Sequence, residues 1–351
     1  MLKTKQQNHK ANKDKKKTIS LALQGGGAHG AFTWGVLDRL LEEPNLHIDA
    51  ISATSAGAMN AALYTYGLLQ GGPSQAKAVL EVFWKQISNL AGFLPLQPGL
   101  VESAFGINSM SFSPFVKIAD YWRYVLSPYQ FNFFDVNPLK DILTGLIDFE
   151  QLRKLSAGKV KLFINATDVK NSKVKIFSNK DISAKVLLAS SCLPYLSQAV
   201  SIDDHKYWDG GFSGNPVLTT LIEPSLCSDI LLVQVIPFVV EEVPNTIPEI
   251  IDRINEVSFN SALHQEIKAI LLINKIIESE LLKDSAKYQF IRMHSMSNNE
   301  ILSSLGGPNK LNFEWDFLTY LRELGRQTAE EWLDKNYDHI NEKATFKLGD
   351  E

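Results

Sequence analysis

Cysteine is scarce in this chain of 351 residues, where only Cys192 and Cys227 occur. Two cysteines permit neither a disulfide framework nor the cysteine clusters of zinc modules, and they favour a reducing compartment. No apolar run reaches the roughly 20 residues that a membrane-spanning helix needs. No apolar segment follows the basic N-terminal residues as it does in a secretory signal peptide. These absences predict a cytoplasmic protein, with peripheral membrane association and export without a signal peptide both left open.

The chain also lacks a strong charge of either sign. Its formal net charge is −4, which creates no global field for nucleic acid, so no nucleic-acid partner is predicted. Residues 1–17 are the exception, because seven of them are lysines. We interpret this segment as a disordered basic tail. The alternative is a weak tether to anionic lipid, worth about 1 kcal/mol per lysine near a charged surface.

Aliphatic strands and amphipathic helices alternate at the start of the chain. Residues 18–24 and 47–53 have the pattern of buried strands, and helical patterns follow at once at 31–43 and 56–69. Repeated strand–loop–helix units predict an α/β fold with a central, mostly parallel sheet flanked by helices. Later segments add a hairpin (161–169 and 173–178), a turn-rich loop (205–216), a strand (229–239) and two long helical regions (247–284 and 313–337).

The composition changes at about residues 89–138, where prolines, glycines and aromatic residues accumulate. We expect an aromatic-rich helical insertion over the sheet, which either forms a hydrophobic lid or packs as the core of a subdomain. Residues 18–337 are predicted to form a single catalytic domain, and residues 338–351 a flexible tail.

A glycine-rich loop follows the first strand. Gly25, Gly27 and Gly30 fit the spacing G-x-G-x-x-G of dinucleotide-binding loops. That function requires an acidic residue at the far end of the second strand, whereas Asp49 precedes most of that strand and its end carries Ser55. The backbone N–H groups of residues 25–27 are instead suited to an oxyanion.

Ser55 lies between the second strand and the second helix, in the sequence A-T-S-A-G. This sequence matches the nucleophile elbow G-x-S-x-G, with Ala53 at the first small position and Gly57 at the second. The elbow places a serine and the N–H of Ala56 at a helix N-terminus, beside developing negative charge. The alternative interpretation is a serine that only caps the helix.

A nucleophilic serine needs a base. Asp209 is a candidate because Gly210 and Gly211 follow it, and glycines allow a carboxylate to approach another group closely. The alternative is an ordinary Asp-Gly turn. His29 and His205 remain further candidates for the base.

Three short blocks, GGGAHG, TSAG and DGG, occur in this order and together resemble the patatin-like phospholipase family. The blocks NATDV (165–169), ASSCLPYL (189–196) and YWDGGFSGNP (207–216) extend the resemblance over about residues 18–216. The segments 253–263 and 321–333 resemble the C-terminal part of a bacterial subgroup. The resemblance implies a three-layer patatin-like fold, Ser55 as nucleophile, Asp209 as base, and an oxyanion hole that includes Gly25, Gly26 and Gly27.

Two residues depart from the family pattern. His29 stands where the family often has arginine or lysine, and Ala53 replaces the usual glycine. Neither change removes a reacting group, but a neutral imidazole adds less positive potential near the oxyanion. The aspartate base also needs a raised pKa, because an unperturbed aspartate, with a pKa near ~3.9, is a weak base toward serine.

We therefore expect a serine acyl-ester hydrolase that releases fatty acids from phospholipids or related lipids through an acyl-enzyme. Its expected partner is a lipid substrate at a membrane surface, and a homodimer is open; no cofactor or metal is expected. The alternatives are a soluble esterase, thioesterase or polyester depolymerase with the same dyad, or a catalytically weak lipid-binding protein.

Overall fold

A computed structural model of the protein describes residues 16–91, 127–132, 137–223, 226–240, 243–279, 289–305 and 307–346. Short aliphatic segments form the parallel centre of its sheet. These are β1 (Lys17–Leu23), β2 (Leu46–Ala53), β3 (Lys161–Asp168), β7 (Asp229–Val233) and β8 (Arg292–Met296). They lie side by side in the order β3-β2-β1-β7-β8, and every neighbouring pair is parallel.

Antiparallel strands complete one edge of the sheet. They are β4 (Lys173–Ser178), β5 (Val200–Ile202) and β6 (His205–Trp208). β4 and β6 both pair with β3, and β5 pairs with β6. The expectation of a loop throughout 205–216 is therefore wrong for its first four residues. A four-residue strand next to glycines has too little periodicity to be recognised, and its pairing with Thr167 and Asp168 is long-range.

Helices cover both faces of the sheet. In chain order they are α1 (Gly30–Leu40), α2 (Ala56–Ala91), α3 (Pro128–Phe131), α4 (Pro138–Leu146), α5 (Phe149–Ser156), α6 (Ala184–Ser190), α7 (Ile247–Glu278), α8 (Asn299–Leu305) and α9 (Trp315–Asn336). Alternate residues of β1 face opposite layers. Leu21 and Leu23 join the core under α1, α2 and α9, whereas Ala22 joins the core under α7. The predicted α/β class and its mostly parallel sheet are confirmed. No helix in the described ranges is long and apolar enough to cross a membrane.

The helices α1 and α9 cross in direct backbone contact. A Cβ on Gly35 would collide with the carbonyl oxygen of Arg322, and a Cβ on Gly325 with that of Phe32. The arginine Arg322 also donates to Asp38 at 2.7 Å. Two glycines therefore allow an approach that any larger residue at either position would prevent.

Several predicted segments differ in extent from the structure. β7 ends at Val233 rather than near residue 239, because the chain turns there and the N–H groups of Val235 and Ile236 both donate to Gln24 Oε1 at 2.8 Å. The helix from residue 247 is continuous to Glu278. The helix predicted at 56–69 is the first part of α2, which is kinked at residues 71–72 and continues to Ala91.

The predicted insertion lies largely outside the described residues, since 92–126 and 133–136 are not among them. The same holds for residues 1–15 of the predicted basic tail and 347–351 of the predicted C-terminal tail. Within residues 338–346, for which the sequence predicts flexibility, residues 341–344 are exposed, but Ile340 and Asn341 contact the rest of the fold. Ile340 is fully buried, and the N–H of Asn341 donates to Asp229 Oδ1 at 2.9 Å.

The register of the central strands brings the two predicted motifs together. Leu23 at the end of β1 pairs with Ala53 at the end of β2. Because the strands are parallel, the glycine loop after β1 and the serine after β2 leave the sheet at the same edge.

Candidate active site

Ser55 has a strained backbone. Its φ is 53°, in the left-handed region that non-glycine residues rarely adopt. The turn is forced because β2 ends at Ala53 and α2 begins at Ala56. Gly57 has no room for a side chain, since a Cβ there would collide with the carbonyl oxygen of Leu23. This is the geometry of a nucleophile elbow, which turns the serine hydroxyl away from the helix. The serine is 9% exposed.

Two side chains and one backbone carbonyl from three other segments hold this turn. The N–H of Ser55 donates to Ser190 Oγ at 2.9 Å, at the end of α6. The hydroxyl of Thr54 donates to Asn165 Oδ1 at 2.5 Å and to the carbonyl of Gly214 at 3.1 Å. The strained backbone is therefore fixed by hydrogen bonds that reach across the fold.

Asp209 follows β6 directly and begins a short 3-10 turn, Gly210–Phe212. Its backbone is anchored on both sides: its N–H donates to the carbonyl of Cys192, and its carbonyl accepts from Thr167 Oγ1, both at 2.7 Å. In the side chain, Oδ1 accepts the N–H of Gly211 at 2.7 Å. These bonds place the carboxylate in a single orientation.

The Asp209 carboxyl is 1% exposed. Burial raises its pKa from 3.8 to about 7, although the Gly211 N–H and the Ser55 hydroxyl both lower it by hydrogen bonding. Oδ2 receives no well-aligned hydrogen bond within the described part of the chain. Because the Ser55 hydroxyl acts on the pKa of Asp209 through a hydrogen bond, the two side chains are neighbours. A buried carboxylate with this pKa can accept a proton near neutral pH.

The glycine loop is a 3-10 turn, Gly27–His29, that runs directly into α1. Gly27 has a φ of +59°, and a Cβ there would collide with the carbonyl oxygen of Lys310. Gly30 packs closely on the elbow, where a Cβ would lie 2.7 Å from that of Ala56. The predicted loop and the predicted elbow are in direct contact.

The N–H groups of this loop are not equivalent. That of Gly25 donates to Asn215 Oδ1 at 2.7 Å, so it does not point freely at an oxyanion as the sequence suggested. The N–H groups of Gly26, Gly27 and Ala56 have no acceptor among the described residues. An oxyanion hole built from these three groups fits the geometry better than one that also includes Gly25.

His29 is 1% exposed. Burial lowers its pKa from 6.5 to about 3, and the nearby Lys310 ammonium lowers it as well. Lys310 donates to Glu256 Oε1 at 2.6 Å. The imidazole is therefore neutral at physiological pH, and the cation that acts on it, Lys310, comes from a segment far along the chain.

His205 lies away from this arrangement. Its Nδ1 pairs with Asp168 Oδ2 at 2.6 Å on the outer edge of the sheet. Asp49, the acid that a dinucleotide site would have needed, accepts the N–H of Cys227 at 2.8 Å. Within the ranges described, no three His, Cys, Asp or Glu side chains converge as metal ligands do.

Sequence reasoning quoted the segments containing Asn165, Ser190 and Asn215 but gave these residues no role. Asn165 Nδ2 donates to the carbonyls of Gly210 at 3.0 Å and Gly214 at 2.7 Å, while its Oδ1 accepts from Thr54. It therefore links the serine turn to the aspartate turn. In the sequence, the only signal for Asn165 is an amide side chain directly after the apolar residues of β3.

One family model and several solved structures are similar to this chain. A family model described as patatin-like phospholipase matches residues 21–222. Among solved structures, VipD from Legionella pneumophila is 16% identical with a TM-score of 0.42, covering 90% of this chain and 67% of that one. ExoU of Pseudomonas aeruginosa, in its heterodimeric complex with SpcU, is 14% identical with a TM-score of 0.35. That alignment covers 92% of this chain and 52% of the other, so this chain spans about half the length of ExoU. No curated protein sequence matches.

Proposed function

This chain belongs to the patatin-like phospholipase family, a family of lipid acyl hydrolases, and from that premise we propose that Ser55 and Asp209 form its catalytic dyad. The proposed reaction releases fatty acid from a phospholipid or a related acyl ester through an acyl-enzyme. The observation that carries the proposal is the contact between a strained serine and a buried carboxyl whose pKa is about 7.

In the first half of the reaction, the Asp209 carboxylate accepts the proton of Ser55 Oγ as the oxygen attacks the ester carbonyl carbon. Negative charge develops on the carbonyl oxygen. The N–H groups of Gly26, Gly27 and Ala56 donate to this oxyanion, assisted by the N-terminal dipole of α2. When the intermediate collapses, the C–O bond to the alcohol breaks and Asp209 returns the proton to the leaving alkoxide.

In the second half, water attacks the acyl-enzyme and Asp209 accepts one of its protons. The second tetrahedral intermediate collapses, Ser55 Oγ recovers the proton, and the fatty acid leaves. Asp209 is therefore a base in each attack and an acid in each collapse. Its pKa near neutrality suits both roles, because neither protonation state is strongly disfavoured at pH 7.

The proposal is tested with a fluorophosphonate probe, which labels activated serines, and with phosphatidylcholine hydrolysis followed by mass spectrometry. We expect wild type to be labelled and to release fatty acid, and Ser55→Ala to do neither. Asp209→Asn should fold and lose at least about 1,000-fold in labelling rate, since a general base is removed from a dyad. A wild-type chain that resists labelling between pH 5 and 9 contradicts the dyad. Labelling accompanied by hydrolysis of water-soluble esters alone favours the esterase alternative.

A further inference from the structure

Exposed aliphatic side chains cluster in one part of the surface. Eleven large apolar side chains of the described chain are exposed, and six of them lie between residues 239 and 257. Two precede α7 and four lie on it; they are Val239, Val243, Ile247, Ile250, Ile254 and Val257. We call the four on the helix the aliphatic stripe. Together the six expose on the order of a few hundred Å², a size that is often functional in soluble proteins.

The aliphatic stripe follows one face of α7. Its members are spaced by three, four and three residues, which places them in a single row along the helix. Beyond the stripe the same face is polar at the exposed residues Ser261, Gln265 and Lys268, and the next position in the row, Leu272, is a single exposed aliphatic residue. The opposite face, which includes Leu263 and Ile267, is buried against the sheet. The stripe is therefore a local feature of the first three turns, outside the packing that holds α7 in place.

The same helix turns contact the proposed catalytic loop. The ring of Phe259 meets that of Phe212 edge-on at 5.0 Å, and it occupies the space where Gly211 would carry a side chain. One turn earlier, Asn255 donates to the hydroxyl of Tyr195 at 2.9 Å. Since Gly211 and Phe212 directly follow Asp209, the stripe belongs to the same packed unit as the proposed base.

We propose that the aliphatic stripe, together with Val239 and Val243, inserts into the surface of a lipid aggregate beside the active site. This inference rests on the proposed function, because a lipid substrate must leave an aggregate to reach Ser55. A row of aliphatic side chains on a surface helix inserts to the depth of the headgroup–acyl boundary. A second copy of the chain fits less well, because stable protein interfaces bury about 800 Å² per partner.

Charge defines the kind of lipid surface. The first three turns of α7 carry Glu249, Asp252, Arg253 and Glu256, and Arg253 pairs with Glu256 at 2.9 Å. Among the described residues, no row of lysine or arginine lies beside the stripe such as anionic membranes attract. We therefore expect binding to zwitterionic phosphatidylcholine vesicles, with little gain from anionic lipid and little loss at high salt.

The test uses the full chain with phosphatidylcholine vesicles in a flotation assay. Ile250→Glu/Ile254→Glu should reduce the vesicle-bound fraction and the hydrolysis of vesicle lipid by about tenfold or more, because two apolar anchors become charged. Fluorophosphonate labelling and hydrolysis of a water-soluble ester should stay unchanged. The matched control is Leu272→Glu, an equally exposed aliphatic residue on the same helix beyond the stripe, and it should bind vesicles as wild type does.

A second measurement detects insertion into the lipid directly and does not require a variant that loses vesicle binding. Ile254→Trp should be quenched by brominated phosphatidylcholine beyond the level of wild type, whereas Leu272→Trp should not. The inference is overturned if wild type fails to bind vesicles, if the stripe variant binds as wild type does, or if Ile254→Trp gains no quenching. It is also overturned if wild type is a dimer that the stripe variant converts to a monomer. In each case, labelling of Ser55 would still stand as an independent result for the proposed dyad.

Discussion

The N–H of Gly25 donates to Oδ1 of Asn215 at 2.7 Å, and Nδ2 of the same asparagine donates back to the carbonyl of Gly25 at 3.3 Å. The two residues are 190 positions apart in the chain. One amide side chain thereby binds both backbone polar groups of Gly25 and holds the glycine loop against the segment that follows the proposed base. The glycine loop, which is proposed to stabilise the oxyanion, is therefore held in place by a residue outside the loop.

Asn215→Ala should consequently slow catalysis although Asn215 contacts no reacting atom. The loop would lose both hydrogen bonds and shift, and small misplacements of catalytic groups cost roughly 10- to 100-fold in rate. We expect that loss in kcat/KM for a water-soluble ester, with a matching decrease in fluorophosphonate labelling. Asn171→Ala, in the turn after β3, is the control and should keep the wild-type rate. Equal rates for both variants would remove the positioning role.

The pH dependence of activity should report Asp209. In the proposed mechanism its carboxylate is the active form, and burial raises its pKa to about 7. Log kcat/KM for a water-soluble ester should therefore rise with a slope near one up to about pH 7 and then level off. His29, with a pKa of about 3, is neutral throughout this range and adds no second inflection. A rate that stays constant between pH 5 and 8 would assign the base to another group.

Asp209 should also make the protein less stable at high pH. Its folded pKa, about 7, lies above its ordinary 3.8. The folded state therefore holds this proton more tightly, and the associated stability is lost as the pH rises from about 4 through 7. Asp209→Asn resembles the neutral acid, so at pH 8 it should raise the free energy of unfolding by up to about 4 kcal/mol. Near pH 4 the difference in unfolding free energy between Asp209→Asn and wild type should vanish.

Urea unfolding of wild type and Asp209→Asn at pH 4 and pH 8 measures this difference. Ser55→Ala is the control, because it leaves the carboxyl in place. An Asp209→Asn variant that is less stable than wild type by the same amount at both pH values contradicts the raised pKa.

Alanine substitutions at Gly27 and Gly158 distinguish the cost of backbone strain from the cost of a steric collision. Both have a positive φ, but a Cβ at Gly158 has nothing within 4 Å, whereas one at Gly27 collides with Lys310. Gly158→Ala should cost about 1 kcal/mol in unfolding free energy, the ordinary strain of a left-handed residue. Gly27→Ala should cost clearly more and should abolish labelling of Ser55. Similar unfolding midpoints for the two variants would mean that the Lys310 segment moves away easily.

His29→Lys, which restores the charge common in the family, should destabilise this protein. The side chain is buried, and the Lys310 ammonium is close enough to lower the pKa of the imidazole. A second ammonium there lacks hydration and faces a like charge, so we expect a loss of several kcal/mol in unfolding free energy. His29→Gln, which stays neutral, should lose much less. The double variant His29→Lys/Lys310→Met should recover part of the loss, because it removes the like charge that faces the new lysine.

The residues that sequence reasoning located are those whose neighbours along the chain limit their conformation. Ser55 needs small residues two positions on either side, and Asp209 is followed by glycines, so each leaves a short local pattern. Asn165, Ser190 and Asn215 act on partners more than 100 positions away, and no local pattern encodes such a contact. The raised pKa of Asp209 was recognised as a requirement, but its cause, burial, depends on the complete fold.

The glycine crossing of α1 and α9 has a practical consequence for minimal fragments. The family match ends at residue 222, and α9 begins at Trp315. A fragment limited to residues 21–222 would keep every proposed reacting group. It would lack α9, however, which packs against α1. Since α1 starts at the glycine turn, such a fragment should lose its oxyanion donors before it loses its nucleophile.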